Sequence, residues 1–229
     1  MTLKAWQGPS EVTGDTIVLG ISCLKQKSKN RKTGPMAQVS AFVKDTSPLE
    51  SQQSGKDEAV CGSCPLRPKN HKAAKAVGNN VSPYACYVKT LWKTTQWTAI
   101  VNATEDHAGA VESLRGKNVR FGEYGNMSSI PREIIEPMIQ ATKSHTLYDH
   151  EWRKPENQWM KAYAMASVHS EEERQEAKAL GWRTFRTGDS PEDGEIYCPH
   201  FTHGVQCVDC KLCSGNCVGA KDIVNPPHA

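Results

Sequence analysis

The sequence predicts an α/β protein: parallel βα units forming a partial barrel or open sheet, with cysteine-rich metal-binding loops. Three observations carry that expectation. Short helical and strand patterns alternate from residue 98 onward. Nine cysteines occur in 229 residues, five of them between Cys198 and Cys217. No apolar run approaches the roughly 20 residues of a membrane-spanning helix, and the N-terminus lacks a signal peptide's apolar core.

Taken in order, residues 1–50 read as irregular chain with some strand. An apolar run covers 16–21, and a partly alternating stretch over 38–45 suits an edge strand. The basic segment 25–32 ends in Thr33-Gly-Pro35, a turn signal. Residues 51–60 are polar and read as a loop. Thr104 is placed to cap a helix over 105–115 that stops at Gly116, and a strand follows over 118–122. Pro131 opens a second helix with Ile134, Ile135, Met138 and Ile139 on one face, and Pro137 inside it predicts a kink or early stop. A strand over 145–148, a short helix over 157–163 and a strand over 164–168 come next. Ser170-Glu-Glu-Glu173 is a capping box opening a helix that Gly181 terminates. Strands over 182–186, 195–197 and 220–224 complete the series. The expected organisation is a basic N-terminal region, 1–97, and an α/β core, 98–229, packed as one compact unit.

The cysteines carry the clearest chemistry. Cys198-Pro199-His200 is followed by Cys207-x-x-Cys210-x-x-Cys213-x-x-x-Cys217. Thiolates this close repel and oxidise unless their charge is used, and a metal uses it. Cys198, Cys207, Cys210 and Cys213 are therefore the expected metal ligands. Successive two-residue gaps match a loop wrapping an iron–sulfur cubane (4Fe-4S); zinc is the alternative, more often held by two separated knuckles. Cys61-Gly-Ser-Cys64-Pro65 and the later Cys86 form a second, cofactor-binding group. Three thiolates leave one position open, to be filled by Cys23, Cys217, His71, substrate or water. An odd cysteine count excludes complete disulfide pairing, and a reducing host-cell cytoplasm is the expected location.

Charge is uneven. Residues 1–103 carry 14 Lys+Arg against 6 Asp+Glu, and residues 104–229 carry 14 against 19. A basic first half permits contact with a nucleotide or nucleic acid, and Trp92 and Trp97 near Lys93 could stack on bases or pack in the core. Parallel βα sheets place their sites beyond the C-terminal strand ends. Glu123, His150 and Arg186 fall at such ends and are the candidate catalytic residues. Tyr124, Asn126, Asp149, Trp152, Ser167, His169 and Thr187 accompany them.

Several segments resemble a cysteine-rich family encoded by tailed phages and prophages. They are Lys32-Thr-Gly-Pro-Met36, Cys61-Gly-Ser-Cys-Pro65, Cys86-Tyr-Val88, Arg120-Phe-Gly-Glu-Tyr-Gly-Asn126, His145-Thr-Leu-Tyr-Asp-His-Glu-Trp152, Ala166-Ser167, Gly181-Trp-Arg-Thr-Phe-Arg186 and Cys198-Pro through Cys213. The resemblance covers most of the chain from residue 30 onward and implies a phage origin; Cys23 and Cys217 stand outside its pattern. At fold level the chain is also similar to radical S-adenosylmethionine enzymes, partial βα barrels with a three-cysteine cluster. Their Cys-x-x-x-Cys-x-x-Cys loop is absent. The readings left open are a metalloenzyme acting on a nucleotide or nucleic acid, a non-enzymatic zinc-stabilised phage protein binding nucleic acid or a host factor, and a thiol redox protein.

Overall fold

The computed structural model describes residues 2–25, 28, 30–70, 86, 88, 90–217 and 219–226. They fall into two units: Met1–Gly62 with Val88–His145, and Ser63–Tyr87 with Thr146–Ala229. Each carries a five-stranded sheet.

The first unit is built on β1 (Leu3–Pro9), β2 (Thr16–Ser22), β3 (Ala37–Val43), β4 (Asn118–Phe121) and β5 (Ser144–Thr146), side by side in that order. β1–β2 and β2–β3 are antiparallel, and β3–β4 is parallel. The segment expected at a sheet edge is thus central. All seven residues of β3 are buried, because its polar members are satisfied inside: Gln38 donates to Ser28 and Ser40 to Glu123, each at 2.9 Å. Alternation therefore marks no wet face here.

The loop expected over 51–60 is instead helical, with α1 (Pro48–Ser54) and α2 (Glu58–Cys61). Ser47 and Glu50 form a reciprocal capping box, and Gly55 ends α1 at φ 83°. α3 (Thr90–Val101) spans the boundary expected at residue 97, and α4 (His107–Leu114) follows. Asp106, rather than Thr104, caps α4 by accepting from the Gly109 N–H at 2.8 Å. A 3-10 turn (Met127–Ser129) leads to α5 (Arg132–Gln140). α5 continues through Pro137 to Gln140. Ile135, Met138 and Ile139 are buried along one face, and that burial outweighs one missing backbone bond.

The second unit contains β6 (Tyr148–Asp149), β7 (Met165–Val168), β8 (Thr184–Thr187), β9 (Glu195–Tyr197) and β10 (Asp222–Asn225), in spatial order β6-β7-β8-β10-β9. Every pairing is parallel. A 3-10 helix (Pro155–Ala162) links β6 to β7, and α6 (Glu171–Ala179) links β7 to β8. The one-turn helices α7 (Pro199–His203) and α8 (Cys207–Cys210) lie between β9 and β10. The expected parallel βα units are present here as an open sheet. The partial barrel is overturned: the stretch expected as one strand over 145–148 divides between two separate sheets, β5 in one and β6 in the other. Register gives the parallel sheet two faces. One presents Tyr148, Met165, Phe185, Ile223 and Ile196; the other presents Ala166, Thr184, Arg186, Asp222 and Glu195. Among the described residues no helix is long and apolar enough to cross a membrane.

Candidate metal centre and strand-end cluster

The cysteine segment lies on the apolar face. Cys198 directly follows β9, and its N–H donates to the Val224 carbonyl at 2.8 Å. Pro199 opens α7, and Gly204 closes it in the left-handed region at φ 68°. Cys207 and Cys210 occupy the ends of the single turn α8, and Lys211 closes that turn at φ 60°. Buried Cys198 and Cys213 pack with Met165 and Ile223, flanked by Tyr148, Phe185, Ile196 and Leu212.

Backbone bonds fix the segment to the sheet. The Leu147 N–H donates to the Cys213 carbonyl at 3.1 Å. The Arg183 guanidinium donates to the carbonyls of Leu212 (2.7 Å), Ser214 (2.6 Å) and Lys221 (2.8 Å). Gly215 presses directly on backbone: a Cβ there would lie 2.1 Å from the Lys161 oxygen and 2.7 Å from the Tyr163 nitrogen. Arg183 and Gly215 are structural residues that sequence reading missed, since neither belongs to a metal-ligand pattern.

These thiols share one electrostatic neighbourhood. Burial pushes the Cys213 thiol up to about 12; a hydrogen bond from Tyr148 opposes this, and neighbouring Cys207, Cys198 and Cys210 add to it. Burial also raises Cys210, against a Leu212 N–H aimed at its sulfur, with Cys198 and Cys217 contributing. Cys217 sits at the margin, its thiol donating to the Lys211 carbonyl at 3.3 Å. Among the described residues, no set of three or more His, Cys, Asp or Glu side chains is already arranged around a common metal position.

The early cysteines divide between the units. Cys61 closes α2 in the first, while Cys64 and Cys86 belong to the second. The Leu66 and Arg67 N–H groups are directed at the Cys64 sulfur, and the Cys86 N–H donates to the Leu66 carbonyl at 2.7 Å. His150, just beyond β6, places Nε2 at 3.6 Å from the Cys64 sulfur. Its ring lies parallel to that of His169, just beyond β7, with centroids 5.9 Å apart and planes 11° apart. His169 is 3% exposed, and neither ring nitrogen finds a hydrogen-bond partner among the described residues. Its backbone is held by Glu173, which accepts from the His169 N–H at 2.7 Å. Beside this cluster Glu151 accepts from the Ser63 N–H and pairs with Lys154.

Burial dominates the electrostatics of this cluster. It raises the Cys64 thiol to about 12, helped by Cys86 and opposed by the Leu66 and Arg67 amides. It lowers His150 to about 3, with His169 adding to the effect, and lowers His169 to about 4. The resting pair is a neutral thiol beside a neutral imidazole, not the thiolate–imidazolium pair of a cysteine nucleophile. Neutral imidazole is the form that binds metals, and a thiol gives up its proton as it binds one.

The three candidate catalytic residues have different surroundings. Glu123, in the first unit, accepts from Ser40 and pairs with Lys93 of α3. Arg186 lies on the polar face of the parallel sheet, where its guanidinium grips Glu195 in two-pronged fashion and donates to the Ser190 carbonyl at 2.7 Å. Only His150 stands in the strand-end cluster. Among the open fourth ligands, Cys23 lies in the first unit at φ 59°, and His71 lies outside the described residues. Parts of the basic segment, 26–27 and 29, also lie outside them, as do residues 71–85. No family model, curated protein or solved structure matches this chain.

Proposed function

We propose that this is a phage-encoded metal protein in which the thiolates of Cys198, Cys207, Cys210 and Cys213 hold an iron–sulfur cluster or zinc. The centre fastens the segment between β9 and β10 to the parallel sheet. What supports this reading is the burial of Cys198 and Cys213 against Met165 and Ile223 on the apolar face, with Cys207 and Cys210 on the one-turn helix between them in sequence. Among its described residues, the segment's regular structure is two helices of five and four residues. Helices that short are unstable alone, and a metal–thiolate centre supplies folding free energy directly. The basic first half supports a nucleotide or nucleic acid as the protein's ligand.

Metal analysis and absorption spectra of anaerobically purified protein test the proposal. A brown protein containing iron and sulfide identifies the cluster, and a colourless one containing zinc identifies the structural ion. Cys213→Ser should lose that metal. A sample with neither metal overturns the proposal.

A further inference from the structure

We infer that the second unit carries another, open metal site that is completed on binding: Cys64 and His150, already at ligand separation, are joined by Cys86 around a zinc-like divalent ion, and His169 faces the remaining coordination position. The inference does not depend on the four-thiol centre, with which it shares no residue.

Four observations converge on it. The Cys64 sulfur and His150 Nε2 are 3.6 Å apart, and a tetrahedral zinc with bonds near 2.3 and 2.0 Å holds sulfur and nitrogen about 3.5 Å apart. Cys64 opens a turn whose Leu66 and Arg67 amides point at its sulfur. Such amides stabilise a metal-bound thiolate from outside the coordination shell. Cys86 is fixed beside the same turn by its backbone bond to Leu66 at 2.7 Å. The fourth observation is His169. A buried imidazole without a hydrogen-bond partner on either nitrogen is costly, so something other than the described side chains satisfies it.

The geometry also limits what His169 can do. Its ring is nearly parallel to that of His150. Ring nitrogens bind metals in the plane of the ring, so two parallel, offset rings do not share one ion without rotating. His169 is therefore assigned to whatever occupies the fourth position, not to the metal itself. Two thiolates and one imidazole with a fourth position open to water form a donor set typical of catalytic zinc, and the mixed sulfur and nitrogen donors select against magnesium and calcium. The site lies beyond the carboxyl ends of β6 and β7, the end of the strands at which parallel sheets place their ligands. A bound ion would acidify water in the open position, and His169 is placed to accept a hydrogen bond from it.

Anaerobic titration of the full chain with cobalt(II), followed by thiolate–cobalt charge-transfer absorption and bound metal per chain, tests the assignment. Cys64→Ser and His150→Gln should each lose one cobalt per chain relative to the parent, while Cys207→Ser keeps that cobalt whatever becomes of the four-thiol centre. Far-UV dichroism checks folding, and His150→Gln serves if Cys64→Ser does not fold. Azide, added as a probe of the open position, should perturb the cobalt spectrum of the parent, and His169→Gln should retain the metal while changing the azide affinity several-fold. Unchanged cobalt content in both Cys64→Ser and His150→Gln overturns the site. An unchanged azide response in His169→Gln overturns the role given to His169.

Discussion

Replacing Arg186 by methionine should destabilise the second unit by about 3–5 kcal/mol, the usual cost of breaking a buried ion pair from one side. The Arg186 side chain is 8% exposed and that of Glu195 is fully buried. The substitution leaves Glu195 with the Glu192 N–H at 2.9 Å and the Arg174 guanidinium only at 3.9 Å. Neither replaces a two-pronged grip. Arg174 is itself committed to Glu171 at 2.6 Å, and Asp222 is held by Lys178 at 2.9 Å. The native face thus balances Arg174, Lys178 and Arg186 against Glu171, Glu195 and Asp222. A loss of that size is a large part of the roughly 5–15 kcal/mol that holds a domain together. Urea denaturation followed by tryptophan fluorescence measures it, because Trp152 and Trp182 are buried in this unit. The midpoint should fall with little change in slope. The double variant Arg186→Met, Glu195→Leu should recover most of the loss, since an apolar pair removes both buried charges. If Arg186→Met is within about 0.5 kcal/mol of the parent, the ion-pair reasoning is wrong and Arg186 is available for another role.

Three further outcomes follow from the same geometry. Gly215→Ala drives a Cβ into the Lys161 carbonyl and should cost about 1–3 kcal/mol, seen as a lower melting temperature together with weaker metal retention. Asp106→Ala removes the α4 cap and should cost about 1 kcal/mol, whereas Thr104→Ala should change the denaturation midpoint little. Acid should weaken the metal-free chain through His169. Burial holds its folded pKa at about 4, below the ordinary histidine value of 6.5, so the unfolded chain takes up the proton first and stability falls as pH drops from about 6.5 toward 4. By pH 5 this amounts to about 2 kcal/mol. Urea midpoints at pH 7 and pH 5 should show a larger loss in the parent than in His169→Gln, the remainder in the variant coming from His150, which burial also holds low.

The second unit was the more legible part of the sequence. Ser170 caps α6, accepting from the Glu173 N–H at 3.2 Å, and β7, β8, β9 and β10 fall within about two residues of their expected places. Short amphipathic elements between turn residues leave a local signature. The first unit was less legible because long-range packing decides it. Nothing local shows that β3 lies in the middle of a sheet, since the pairing of Ala37 with Val119 joins residues 82 positions apart. The polar composition of 51–60 read as loop, although Ser47 and Glu50 just before it have capping-box spacing. The cysteine segment announced itself by spacing. The approach of His150 to Cys64, across 86 positions, did not, because only the return of the chain through β6 creates it. Arg186 shows the converse: it lies inside β8, not beyond its end, and sequence alone did not reveal that Glu195 would claim its guanidinium.

The strand order β6-β7-β8-β10-β9 bears on how the molecule is made. Within the sheet β9 pairs only with β10. As a growing chain leaves the ribosome, residues 195–197 therefore emerge without a neighbour and stay so until residues 222–225 have followed. The intervening stretch is the cysteine segment, so under the proposed metal centre the ion would have to arrive in that interval to hold the segment while β10 is reeled into its slot, and a chain denied it would trail β9 as an adhesive edge.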